Sequence, residues 1–145
     1  MATTFNSTNT GAANAVPGIG DGHGIKAVCG VFSLAAALVI NDVIQSPVIP
    51  KGATILDVIV NVTDLDTGGS PAITLDVGYG VDPDYFVQAS TIGQTGGVVR
   101  SSAATAAPLT LTDNDTVDVL VKAAPATGAT TGTVAVTVIF LPPNA

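Results

Sequence analysis

The side chains that could do chemistry in this 145-residue chain are few: one histidine, one cysteine and two short Asp-x-Asp pairs. His23 stands between Gly22 and Gly24 with Asp21 beside it, a grouping that on the surface suits acid-base work or a metal ligand. Nucleophilic catalysis needs a base oriented by a third group, and the chain has no GxSxG elbow and no second histidine. Flanked by glycines, His23 is expected to serve as a structural or interfacial residue. Cys29 is alone, which excludes an intrachain disulfide and a cysteine metal cluster. One histidine and one cysteine six residues apart also leave no set of nitrogen and sulfur ligands for zinc. Cys29 is expected to be a small buried hydrophobe in a strand around Val28 to Phe32.

Asp64 with Asp66, and Asp82 with Asp84, fall in segments expected to be loops, where clustered oxygens can bind calcium. Their spacing does not match the twelve-residue calcium loop, and the chain contains no glutamate to act as a bidentate ligand. Aspartate is also a common turn residue, so turn formation is the expected role and calcium binding the alternative. Paired carboxylates also serve glycoside hydrolases, but tryptophan is absent and only Tyr79, Tyr85 and four phenylalanines are available as a sugar platform. Gly18, Gly20 and Gly22 lack the preceding strand, following helix and lysine of a phosphate-cradling loop. No catalytic residue, cofactor or resident metal is expected.

The elements that must position these groups are strands. Ile55 to Thr63 alternates with Leu56, Val58, Val60 and Val62 on one face, and Ile73 to Tyr79 alternates with Ile73, Leu75, Val77 and Tyr79 on one face. Between them Asp64 to Pro71 is rich in turn residues, so a hairpin whose two strands roof one core is the economical reading. Further strands are expected over Ile25 to Leu34, Leu38 to Gln45, Tyr85 to Gln88, Val98 to Arg100, Thr116 to Lys122 and Thr133 to Leu141. Val117, Val119 and Val121 share one face, as do Val134, Val136, Val138 and Phe140. All eleven acidic residues are aspartate, and valine, threonine, glycine and proline abound, so almost no helix is expected. Seven or eight short strands with no helical interludes predict an antiparallel β-sandwich or jelly roll over residues 25–145, a single domain.

Residues Met1 to Gly24 read as an extended N-terminal arm. Apart from Phe5, Val16 and Ile19 they offer little apolar area to offset chain entropy, so alone they are expected to be disordered and to order on a partner. Phe5, Val16, Ile19 and His23 are the candidate partner-binding residues of that arm. The net charge is −7 with only four cations, Lys26, Lys51, Arg100 and Lys122, so no basic stripe is available for nucleic acid. The longest apolar run, Val28 to Ile40, is interrupted by Gly30 and Ser33 and falls short of the ~20 residues that span a bilayer. Neither a membrane anchor nor a signal peptide is expected, which points to synthesis in the cytoplasm. A hydrophobic content of 47% is high for a small soluble monomer, so part of the apolar surface is expected to meet a partner.

Three segments carry a family resemblance: VINDVIQSPVIPKGATILDVIVNVTDLDTG (Val39 to Gly68), PAITLDVGYGVDPDYFV (Pro71 to Val87) and TIGQTGGVVR (Thr91 to Arg100). They resemble the capsid decoration, or cement, proteins encoded with the head genes of tailed bacteriophages. The later segment LTDNDTVDVLVKAAPATGATTGTVAVTVIFL (Leu111 to Leu141) fits the same succession of turn, strand, loop and final strand. The resemblance covers most of the chain after Ile25, and the arm is its least typical part. It implies a structural virion protein on the outside of an expanded phage head, made in the host cytoplasm. It further implies a homotrimer that clamps neighbouring major capsid subunits, without enzymatic activity. The alternative from another class is an appendage or carbohydrate-binding module that recognises a host surface, for which β-sandwiches are common scaffolds.

Overall fold

The computed structural model describes residues 24–143. Two antiparallel sheets face each other. One has the order β1 (Lys26–Ser33), β9 (Thr133–Leu141), β3 (Thr54–Val62) and β6 (Gly97–Arg100), with the short β7 (Leu109–Thr110) also on β3. The other has the order β2 (Val43–Gln45), β8 (Asp118–Ala123), β4 (Thr74–Tyr79) and β5 (Asp82–Ser90). One short 3₁₀ turn, Ile92–Gln94, interrupts the β pattern. The expected antiparallel β-sandwich is present, with nine strands among the described residues.

The core follows from strand alternation. Val58, Val60 and Val62 of β3 and Val134, Val136 and Val138 of β9 are buried against Leu75 and Val77 of β4 and Val119 and Val121 of β8. Each such side chain contributes ~1.5–3 kcal/mol by leaving water. Branched side chains standing off a pleated surface fill most of this interior, with Phe86 and Phe140 buried among them. Phe86 is the largest of the fully buried side chains.

Five sequence expectations need correction. The hairpin expected between the third and fourth strands does not form, because β3 and β4 lie in opposite sheets. Both apolar faces still roof one core, from opposite sides, and the true hairpin is β4 to β5, with Tyr79 paired to Asp82. In β3 the register shifts between Ile55 and Asp57, so Ile55 joins Val58 inside and Leu56 is only half-buried. A bulge lets two residues oppose one, and it interrupts strict alternation. The strand expected over Leu38 to Gln45 shrinks to Val43–Gln45, since Asn41 sits at φ 69° in a turn that the Asp42 carboxylate closes by accepting the Val39 N–H at 2.8 Å. Cys29 is exposed: it lies on the outer face of an edge strand, opposite Thr137, and nothing among the described residues covers it.

The strand expected over Tyr85 to Gln88 is longer, Asp82–Ser90, and so places Asp82 and Asp84 in a strand instead of a loop. Its first half bulges strongly. β4 advances from Tyr79 to Val77 while β5 runs from Asp82 to Val87. The slack in β5 folds across Gly78, where a Cβ would overlap the Asp82 carbonyl oxygen and Pro83. Only glycine permits that approach.

Candidate functional site

The two Asp-x-Asp pairs sit at opposite ends of β4. At one end Asp66 is 1% exposed, and its carboxylate accepts four backbone N–H groups. Ala72, Ile73 and Ala126 donate to Oδ2 at 2.6, 3.2 and 2.8 Å, and Thr127 donates to Oδ1 at 2.8 Å. Burial alone would raise this carboxyl's pKa. The donors of Thr127, Ala72, Ala126 and Ile73 outweigh it and hold the group well below the ordinary carboxylate range. Asp64, exposed on the same loop, closes a local turn, its Oδ1 accepting the Asp66 N–H at 3.0 Å. Asp66 therefore ties the β3–β4 crossing to the loop before β9, and its oxygens are engaged by the chain itself.

At the other end Asp82 and Asp84 lie close enough to shift each other's protonation. The neighbouring Asp84, with burial, raises Asp82, while Gln88 and Asp82 lower Asp84. Gln88 donates to Asp84 Oδ2 at 2.7 Å. Beside them Asp76 is buried with its Oδ2 3.5 Å from Lys122 Nζ and its Oδ1 accepting the Ala89 N–H at 2.7 Å. Among the described residues no three His, Cys, Asp or Glu side chains converge as a metal-holding group. The described residues also include no helix long and apolar enough to cross a membrane.

The surface that stands out is apolar. Seven of the ten large hydrophobic residues exposed among the described residues belong to β1, β2 or the segments flanking them. Ile25 and Val31 are each 64% exposed and Val48 is 65% exposed, joined by Phe32, Val39, Ile40 and Val43. β1 and β2 are the end strands of their sheets, and they meet on one side of the sandwich, where Gly30 lies so close to Pro47 that a Cβ would stand 2.7 Å from its ring. The groove there has a volume of about 340 Å³ and is lined by Gly30, Val31, Phe32, Val43, Ile44, Gln45 and Pro47, with no charged side chain. An apolar groove on a sheet edge that no described residue pairs marks an interaction site. The opposite side is closed: the Phe86 carbonyl accepts the N–H groups of Ser102 at 2.8 Å and Ala103 at 3.0 Å.

Composition foretold an apolar surface but not its place, because which strands end a sheet is decided by pairing. The sequence-derived partner residues Phe5, Val16, Ile19 and His23 lie outside the described residues.

No protein-family model and no curated protein matches the chain. Solved structures do. A chain in the capsid of Ralstonia phage GP4 matches at TM-score 0.73 and 33% identity over 92% of this chain and 94% of its own. A chain in the capsid asymmetric unit of cyanophage Pam1 matches at TM-score 0.76 and 30% identity over 94% and 100%. The chain belongs to a family of phage capsid proteins. A capsid structure of Helicobacter pylori bacteriophage KHP30, at TM-score 0.54 and 20% identity over 81% of this chain and 88% of its own, shares the fold. For a phage capsid protein the open apolar edge falls into place, since a structural virion component works through surfaces that meet other chains.

Proposed function

We propose that this capsid protein is a decoration, or cement, protein that binds the outside of an expanded head and clamps adjoining major capsid subunits, as a homotrimer. The observation that carries the reading is the open β1–β2 edge on a small sandwich that resembles capsid chains along nearly its whole length. A cement protein needs no chemistry. It adds interface area that exists only in the assembled lattice, so its binding free energy opposes separation of the subunits. The acidic balance of the chain, −7, favours the outer surface, because packaged DNA repels a protein with so few cations. Residues 1–24 serve as the arm that reaches neighbouring subunits, with Phe5, Val16 and Ile19 as anchors and His23 at the interface. Many modest contacts made at once give avidity.

The aromatics do not support the glycan-binding alternative. Tyr79 and Tyr85 pack edge-on at 5.5 Å and 86°, and Tyr85 packs on Phe86 at 5.0 Å and 80°, so they cover one another instead of forming a flat sugar platform. The test is co-sedimentation of the purified protein with expanded capsids lacking it, followed by heating of the particles. Saturable binding with a raised disruption temperature is expected, and binding to free capsid monomers is not. Deleting residues 1–24 is expected to weaken both effects. Failure to bind capsids, together with a positive glycan screen, would replace the cement reading with the appendage one.

A further inference from the structure

We propose that the strip Thr3 to Thr10 of a neighbouring copy adds as an extra strand to β1 and seats Phe5 in the groove between β1 and β2. The inference deepens the clamp reading and rests on it only for bringing copies side by side. β1 pairs with β9 alone among the described residues, so its other edge presents a row of N–H and C=O groups ready for another strand. The groove beneath that edge is rimmed by Val31, Phe32 and Val43 and carries no charge. The strip TTFNSTNT matches it: uncharged, rich in β-branched threonine, and holding the sole aromatic residue of residues 1–23.

The connection argues for a neighbour over the same chain. A hairpin needs two to five loop residues, whereas Gly11 to Gly24 supplies 14. Fourteen residues reach up to ~45 Å. A domain of this size is roughly 35 Å across. The connection therefore reaches the same edge of a touching copy.

Cys29, exposed on the outer face of β1 and the sole cysteine of the chain, supplies a reporter. If Phe5 points into the groove, period-two alternation turns Asn6 and Thr8 to the side of Cys29 and Ser7 away from it. Full-length chains carrying Cys29→Ala with Asn6→Cys, Ser7→Cys or Thr8→Cys are mixed with the natural chain on expanded capsids and mildly oxidised. The disulfide-linked peptides are then identified. Cross-chain links to Cys29 from positions 6 and 8, at least ~10-fold above position 7, are expected, and Phe5→Asp is expected to reduce them several-fold. Equal linkage at all three positions, or none on particles that co-sediment with both chains, overturns the proposal. The same cysteines placed singly in chains that keep Cys29 test the other geometry, and a link confined within one chain also overturns it. If neither chain sediments, the clamp reading fails by itself, and the same cross-link pattern in concentrated solution decides the strand addition.

Discussion

Along the β5–β6 side, the sandwich is closed by backbone: the Phe86 carbonyl takes two N–H groups from the chain leaving β6, and the bulge of β5 lies across Gly78. Along the β1–β2 side the two sheets meet through Pro47 under Gly30, and the apolar residues left over face outward. Every strand on either side, β1, β2, β5 and β6, carries valine, so composition does not separate them. The difference lies in how backbone groups are satisfied. Where the chain stitches its own edge, a substitution acts on folding; where the edge stays open, a substitution acts on association.

The sharpest test of the stitched regions is Asp66→Ala, which removes a buried carboxylate and strands the four N–H groups it gathers at the end of the sandwich next to β4. Thermal unfolding is expected to shift down by more than ~10 °C. Asp66 also predicts an acid response. Its carboxyl is held below its unfolded value, so its stabilisation is full above pH ~4 and drains as pH falls further. In Asp66→Asn, unfolding followed against pH should show a flatter decline at a lower overall stability, because an amide oxygen cannot accept all four donors.

A smaller loss is expected at the bulge. Gly78→Ala sets a methyl group against the Asp82 carbonyl and Pro83, and should cost about 2 kcal/mol in denaturant titration. At the open edge the pattern inverts. Phe32→Ser combined with Val31→Ser is expected to move the melting temperature by no more than ~3 °C, since both side chains are already exposed. Capsid affinity in a sedimentation titration should fall about 10-fold or more. Equal effects of the two classes of substitution on melting and on capsid binding would dissolve the distinction between the sides.

The smallest effect is expected at Asp82. Its carboxyl is raised by its neighbour Asp84, so its ionised form opposes folding and stability from this group rises as pH falls through its folded pKa. Asp82→Asn should therefore raise the melting temperature slightly at pH 7 and not at pH 3. A drop at pH 7 would show that the ionised Asp82 makes contacts that outweigh the cost of its charge beside Asp84.

The legible parts of the fold were those set by local alternation. Val117, Val119 and Val121, and Val134, Val136, Val138 and Phe140, turn inward as their spacing dictates. The strand of Val98 to Arg100 is present although it is only four residues long with Gly97. Misreadings arose where the neighbour in space is remote in sequence. The Asp64–Pro71 turn was recognisable, but its reach across the sandwich depends on Asp66 gathering donors from Ala126 and Thr127, which no local pattern announces. Leu56 exchanged places with Ile55 because a bulge broke the count. The open edge could be anticipated only as an excess of hydrophobic residues without an address.

By itself, then, the sequence determined an all-β chain, the inward faces of its long strands and an apolar surplus, because side-chain alternation is a property of a single strand. The tertiary structure alone decided which sheet each strand joins, why Cys29 lies in the open, and which two strands end their sheets. The same period-two pattern pairs equally well with either sheet, and only the packing of both around one core selects between them.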